Sequence, residues 1–331
     1  MARYDVVTLG ETMVRLTPPN LRRLEQTASL DVEVGGTESN LAIGLARLGL
    51  KSLWLSRLTA NPLGRLIANA LTAHGVDTSR IVWTDEDRVG VLFYEISKRP
   101  RASRVLYDRR HSAVSRMQPS DLPADLFQPD GARVFHTTGI TLALTPDLTR
   151  TAHHALHLAK SAGWLISFDL NYRRTLWSPA EAREGCDTYA SAADLFFVPR
   201  GDACQIYNLD PTMRTEAILG ELASRYSQAT IILTLGAEGA MAGEPGGPIV
   251  QQSAFAAEEV ERLGGGDAFA AGFLYAYLSA LDQADRLAIA LRWGAASAAL
   301  KYTIPGDAPL IDREEVETLL QQHGPSTSLR R

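Results

Sequence analysis

The sequence predicts an α/β protein: a mostly parallel central sheet between layers of helices, with a small β-sheet lid beside it. Three observations carry this reading. Apolar, β-branched runs alternate with helix-period segments along most of the chain, the pattern of parallel strands covered by helices. That rhythm breaks at Val89–Ile96, where a polar turn leads to a second short strand, Arg104–Tyr107, with no helix between them. Near the C-terminal end, Gly264, Gly265 and Gly266 run into Asp267 and then into an apolar helix.

In order, Tyr4–Leu9 reads as a buried strand ending at Gly10. Gly35-Gly36-Thr-Glu-Ser-Asn40 then opens a helix with Leu41, Ile43, Leu45 and Leu48 apolar, stopped by Gly49. Ser52–Leu58 is a strand and Leu63–His74 a helix ended by Gly75. Val89–Ile96 and Arg104–Tyr107 make an antiparallel flap, placed to act as a lid over the sheet's crevice. Alternation resumes with strands at Ala132–Thr137, Leu165–Asp169, Leu195–Val198, Thr230–Leu235 and Ile249–Gln252. Helices open at Thr145-Pro146 and at Ser178-Pro179, with Pro at the favoured first position, and another covers Thr215–Arg225. Ala268–Leu281, Gln283–Tyr302 and Arg313–Gln321 are the closing helices, and His323–Arg331 a loose tail. Without a repeat or linker, the chain reads as one domain, residues 1–331, with lid strands inserted at about 11–34 and 89–112.

Composition excludes several classes. The 331 residues are 45% hydrophobic and 21% charged, ordinary for a globular protein. A formal net charge of −5 argues against nucleic acid as partner. Two cysteines, Cys186 and Cys204, are too few for a disulfide framework and lack metal-ligand spacing, and no metal site is expected from protein ligands alone. No apolar stretch suits a membrane span and the first residues enter a strand directly, so a cytoplasmic location is expected. His153 and His157 share a helical face, but without a His-Glu-x-x-His pattern or a third ligand they read as surface residues.

The glycine run has the chemistry of an anion cradle. Glycine lets backbone approach a ligand, and the first turn of a helix has unpaired N–H groups that favour negative charge. Asp267 stands at its lip, though an aspartate there could equally be an ordinary N-cap. Polar residues following the strands, at Gly35–Asn40, Asp169–Arg174, Gly236–Gly239 and Gly264–Asp267, could converge on one crevice at the strands' carboxyl ends. P-loop, dinucleotide-binding and nucleophile-elbow patterns are lacking.

Two of these segments together, Gly35-Gly36-x-x-x-Asn40-x-Ala42 and Gly264-x-Gly266-Asp267-Ala-Phe, resemble the signatures of the PfkB, or ribokinase-like, carbohydrate kinases. Within that family the chain is most similar to the 2-keto-3-deoxygluconate kinases. The supporting stretches are Tyr107-Asp-Arg109-Arg-His-Ser-Ala, Thr138-Gly-Ile-Thr-Leu-Ala, Asp169-Leu-Asn-Tyr-Arg173 and Lys301-Tyr-Thr-Ile-Pro-Gly306-Asp. The resemblance implies a ribokinase-like three-layer sandwich, ATP and Mg²⁺ as cofactors, phosphorylation of a sugar's primary hydroxyl, and a homodimer formed through the lids. It implies Asp267 as the base, with the backbone of Gly264, Gly265 and Gly266 steadying the transferred group. Gly35, Gly36, Asn40, Tyr107, Arg109 and Arg173 are expected at the substrate, and Gly236, Glu238, Gly239, Arg200 and Asp202 near the nucleotide.

Arg15 occupies the position, five residues after Gly10, where ribose-type relatives carry an aspartate. A cation there favours an acidic sugar, so Arg15 is also expected at the substrate, although a lone arginine can be only a surface ion pair. Three departures from the family pattern stand out: Glu261-Arg262 replaces Asp-Thr, Arg200-Gly-Asp202-Ala203 replaces Asn-x-x-Glu, and Leu92 replaces a lid tyrosine. The rival readings are a kinase for a neutral ketose such as fructose and a catalytically inactive sugar sensor.

Overall fold

A computed structural model describes residues 2–324. The tail expected beyond His323 lies, from residue 325 on, outside the described residues. The strands begin with β1 (Tyr4–Leu9), β2 (Met13–Thr17), β3 (Asp31–Gly35), β4 (Ser52–Leu55), β5 (Arg57–Thr59), β6 (Val82–Thr84), β7 (Val91–Glu95) and β8 (Arg104–Asp108). Then come β9 (Ala132–Thr138), β10 (Leu165–Asp169), β11 (Leu195–Pro199), β12 (Thr230–Thr234), β13 (Ala240–Gly243) and β14 (Ile249–Gln252). The helices are α1 (Thr37–Arg47), α2 (Pro62–Ala73), α3 (Gly139–Leu144), α4 (Pro146–Ser161) and α5 (Pro179–Ala192). They continue as α6 (Arg200–Tyr207), α7 (Thr215–Arg225), α8 (Gly265–Ser279), α9 (Arg286–Tyr302) and α10 (Arg313–Gln322).

The central sheet runs β14-β13-β12-β11-β10-β9-β1-β4. From β4 to β12 every pairing is parallel, and β13 and β14 close one edge antiparallel. Both faces are covered, which is why its strands read as apolar runs rather than as an alternating pattern. Leu9, Phe135, Phe168, Phe196 and Leu233 pack on the side of α3 to α7, while Val6, Val134, Phe197 and Ile232 meet α1, α8, α9 and α10. Helix α8 is apolar on all sides because it is buried almost throughout. Strand order reverses at β1, flanked by β4 and β9, and ligands of open sheets bind at the carboxyl ends near such a reversal.

A second sheet, β3-β2-β7-β8, is the lid. It extends the expected two-stranded flap: β7 and β8 pair antiparallel, as do β2 and β3, while β2 and β7 join them in parallel. Met13, Leu92 and Tyr94 on its inner face pack with Leu263, just before the glycine run. Some expected elements need correction. Ser52–Leu58 is two strands, because β5 leaves the main sheet to pair with β6. Helix α9 starts at Arg286 rather than Gln283, and α3, α6, β6 and β13 had not been anticipated. Among the described residues no helix is long and apolar enough to cross a membrane.

Candidate active site

The glycine run turns the chain into α8. Gly264 precedes the helix with a φ of +77°, in the left-handed region, and a Cβ there would lie 1.8 Å from the Asp307 carbonyl oxygen. At Gly265 a Cβ would strike the Tyr302 ring at 2.3 Å, whereas at Gly266 it would meet nothing within 4 Å. The Gly265 amide donates to the Arg262 carbonyl at 3.2 Å. Gly266 and Asp267 follow in the first helical turn, where amides have no intrahelical acceptor and the helix dipole is positive.

Asp267 is the third residue of α8 and not its N-cap, a position held by Gly264. Its carboxylate reaches across to the first turn of α1: Thr37 Oγ1 donates to Oδ1 at 2.6 Å and Asn40 Nδ2 to Oδ2 at 2.7 Å. Asn171, past the end of β10, donates from Nδ2 to Thr37 Oγ1 at 3.0 Å. Burial raises the Asp267 pKa above the usual aspartate value, opposed by these two hydrogen bonds and by the charges of Arg173 and Lys301. Burial and the charge of Asp267 push Asp169 up to about 7. Glu38 also rises to about 7 through burial, although Thr138 and Thr141 each donate to its Oε1 at 2.7 Å. Sequence reasoning passed over Glu38, because an acid in the first turn of a helix reads as a dipole partner. Its enclosure, with Gly10 packed against the carboxyl, arises only in three dimensions.

A cavity of about 270 Å³ lies between the lid and the sheet's carboxyl edge, bordered by Gly35, Gly36, Asn40, Tyr107, Arg109, Arg173, the three glycines and Asp267. Arg109 is not a free cation: its Nε donates to Glu11 Oε2 at 2.7 Å, and its Nη2 pairs with the same oxygen. Glu11 lies just past Gly10 at the end of β1 and was missed, as were Asn171 and Asp307, though the last two lay within the quoted motifs. Glu11 Oε1 and Asn171 Oδ1 are buried and have no hydrogen-bond partner among the described residues. Arg173 donates to the Tyr172 carbonyl at 3.1 Å. Leu92, the residue that replaces a lid tyrosine, contributes apolar wall.

Arg15 is a correction. It does not border the cavity but is 1% exposed beneath the lid, clasped by Glu33 at 3.3 Å, Glu261 at 2.6 Å and Asp307. Its guanidinium also lies over the Tyr94 ring at 4.8 Å. A buried cation needs paired carboxylates, and these satisfy it completely enough to leave nothing for a ligand. The departure at 261 thereby has a role: Glu261 supplies one of the partners and accepts from the Gly306 amide at 2.9 Å. Arg262 sits at the cavity rim, near Glu259 at 3.3 Å.

Beside the cavity, and sharing Gly265, Gly266, Thr234 and Phe269 with it, is an apolar recess of about 120 Å³ floored by Ala295, Ala298 and Ala299. Gly236 and Gly239 line it, with φ of +60° and +104°. Glu238 and Arg200 border a shallower surface pocket next to Gly236. Arg200 directs its guanidinium away, donating to the Pro211 and Met213 carbonyls at 2.8 and 3.0 Å. Asp202, in the first turn of α6, is held above the usual aspartate value by burial, against the charge of Arg173. His153 packs on the Tyr189 ring, while His154 and His157 are exposed.

A parallel α/β sheet whose carboxyl edge meets a glycine-led helix start, a buried carboxylate and Arg173, with Arg109 facing them from the lid, is the kind of site a sugar kinase requires. The profile of the pfkB family carbohydrate kinases matches residues 3–312, and the chain belongs to that family; it is a sugar kinase with a ribokinase-like fold. The chain is 38% identical over 317 residues, 96% of each protein, to the 2-dehydro-3-deoxygalactonokinase of Haloferax volcanii. To the 2-dehydro-3-deoxygluconokinase of Bacillus subtilis it is 29% identical over 322 residues, again 96% of each. The crystal structure of the Thermotoga maritima 2-dehydro-3-deoxygluconokinase superposes with a TM-score of 0.87 at 33% identity, covering 96% of this chain and 98% of that one.

Proposed function

We propose that this chain transfers the terminal phosphoryl group of Mg²⁺-ATP to the primary hydroxyl of a 2-keto-3-deoxy sugar acid, 2-keto-3-deoxygluconate being converted to its 6-phosphate. The observation that carries the reading is that Asp267, the open backbone at Gly266 and the arginines Arg109 and Arg173 line one cavity. Phosphoryl transfer needs positioning and charge stabilisation more than covalent chemistry. Asp267 is the base, taking the proton of the attacking hydroxyl, and its raised pKa brings it nearer to that task at neutral pH. The amides of Gly266 and Asp267, with the glycine backbone before them, stabilise the charge growing on the transferred group.

The apolar recess suits a flat purine: its alanine floor leaves room for a ring, and the shared Gly265 and Gly266 put the cradle within reach of the attached phosphates. Gly236, Glu238 and Gly239 border the nucleotide's outer side, where Arg200 shares a surface pocket with Gly236 and Glu238; Asp202 borders neither that pocket nor the recess. Bound Mg²⁺-ATP supplies the phosphoryl group and neutralises part of its charge. Mg²⁺ keeps waters and phosphate oxygens as ligands, so no dedicated cage of protein acids is needed to hold it. Arg173 faces the sugar's carboxylate with a planar fork suited to it, and Arg109, held by Glu11 through Nε and Nη2, adds its remaining N–H groups, while Gly35, Gly36, Asn40 and Tyr107 border the remaining sugar.

The Haloferax relative's name favours a second substrate, 2-keto-3-deoxygalactonate, which differs in configuration at C4. Coupled assays with ATP and Mg²⁺ on both acids and on fructose test the proposal. Turnover of fructose but of neither acid, or no turnover at all, rejects it. Asp267→Asn should lower kcat by about 10²- to 10⁴-fold. Arg109→Ala should cost about 10- to 150-fold in kcat/KM on the acids, the worth of a hydrogen-bonded charge, and little on a neutral ketose.

The chain is read as one kinase unit carrying its lid as an insertion, and the lid as the surface that pairs two copies. Leu16 is paired directly with Val32 and with Phe93, and Phe93 with Leu106, so the four side chains form one apolar row. That row lies on the face opposite Leu92 and Tyr107, which border the cavity, and Val32 and Leu106 are 55% and 56% exposed. A second lid is the occupant that such a row fits.

A further inference from the structure

We infer that Thr37 and Asn171 form a one-way hydrogen-bond relay that fixes Asp267 for proton transfer, and that both are positioning residues of the reaction. The inference rests on Asp267 acting as the base. Its own content is the direction of the relay, which the chemistry of the groups dictates. An amide nitrogen can only donate, so Asn171 Nδ2 donates to Thr37 Oγ1 at 3.0 Å. Thr37 has a single hydroxyl hydrogen. With a lone pair already occupied by Asn171, that hydrogen goes to Asp267 Oδ1 at 2.6 Å. A carboxylate accepts only, so no rotation of the threonine gives a better arrangement.

The amide of Asn171 is itself held. A flipped amide would set its oxygen against Asp169 Oδ2, which lies 3.4 Å from Nδ2, and would draw the single Thr37 hydrogen away from Asp267. Its backbone N–H donates to Asp169 Oδ1 at 3.0 Å, and its φ of +37° is one that few side chains other than asparagine adopt. A strained, 7% exposed residue with its side chain locked on two sides is suited to orienting a third group. Asn40 completes the arrangement by donating to Asp267 Oδ2 at 2.7 Å. Each carboxylate oxygen thus receives one donor from α1, and the remaining lone pairs are left for the substrate hydroxyl. The sequence places Asn171 and Thr37 in separate strand-end segments; only the sheet's carboxyl edge unites them with α8.

Losing the Thr37 donor should raise the Asp267 pKa, since that hydrogen bond is among the influences that lower it. Other charges facing Asp267 are the acids Asp169, Glu38 and Asp307 and the cations Arg173 and Lys301. They are common to every variant below, so differences between variants report the relay. The experiment is a pH profile of kcat and KM with Mg²⁺-ATP and 2-keto-3-deoxygluconate for the unsubstituted enzyme, Thr37→Val, Thr37→Ser, Asn171→Ala and Asp267→Asn. Thr37→Val should lose about tenfold or more in kcat, keep its KM for ATP, and show the acid limb of kcat/KM moved to higher pH. Thr37→Ser should restore both, and Asn171→Ala should move the limb in the same direction by less. An unmoved limb in Thr37→Val, or a failure of serine to rescue, overturns the inference. Should Thr37→Val not fold, the limb in Asn171→Ala decides in its place. An active Asp267→Asn, by contrast, removes the base itself and with it the proposed function.

Discussion

At the scale of single residues, the site is a set of acids kept from ordinary behaviour by burial. Glu38 is raised from 4.5 to about 7 and Asp169 from 3.8 to about 7, so both bind protons more tightly folded than unfolded. The sign follows from linkage: between pH 4.5 and 7 the native state holds more protons, so stability contributed by these groups falls as pH rises through that window. In Glu38→Gln the carbonyl can still accept from Thr138 and Thr141 without carrying a charge. The melting temperature of that variant, relative to the parent, should therefore rise steadily from pH 4.5 to pH 7 in calorimetry. A constant difference across the range would show that Glu38 does not titrate there. Arg109 and Arg15 make the complementary point for cations. Both are paired with carboxylates, but Arg109 stays at the cavity wall whereas Arg15 is enclosed on every side.

Among the elements, the start of α8 separates what packing needs from what a ligand needs. Gly264 is required by the fold, since its left-handed backbone and the Asp307 carbonyl at 1.8 Å exclude a side chain. Gly264→Ala should cost about 1–3 kcal/mol or more, measured by denaturant unfolding. Gly266 has open space around it, and alanine in a helix should leave stability unchanged or raise it by about 0.4–1 kcal/mol. If phosphates approach the backbone there, Gly266→Ala should fold well yet show a sharply raised KM for ATP. Unchanged kinetics in a stable Gly266→Ala would remove the cradle from the mechanism. Helix α1 has a comparable double duty: Leu41 and Leu45 bind it to the core while Thr37 and Asn40, one turn apart, hold Asp267.

On the scale of the whole molecule, the lid is joined to the cradle through charge as well as apolar contact. Arg15 on β2 is bound by Glu261, just before the glycine run, and by Asp307, whose carbonyl backs Gly264. The outer face of the same lid carries the apolar row from Val32 to Leu106, exposed at its two ends. Leu106→Glu should convert a dimer to a monomer in light scattering without altering the melting of the isolated fold by more than about 0.5 kcal/mol, as expected for an exposed position. A monomeric parent protein, or a dimer that survives the substitution, rules out pairing through this face.

Strands, helices and their order were legible along the chain because they depend on short-range features: apolar periodicity, proline at helix starts and glycine at helix ends. So was the glycine-led start of α8 at Gly264–Asp267, whose residues are consecutive. Less local facts were not. The fate of Arg15 depended on positions 33, 261 and 307, and the neutralisation of Arg109 on Glu11, which lies 98 residues earlier. A charged side chain has the same letters whether water or a buried carboxylate surrounds it; solvent and partners, which set its energy and its chemistry, are decided only when the strands' carboxyl edges bring distant segments together.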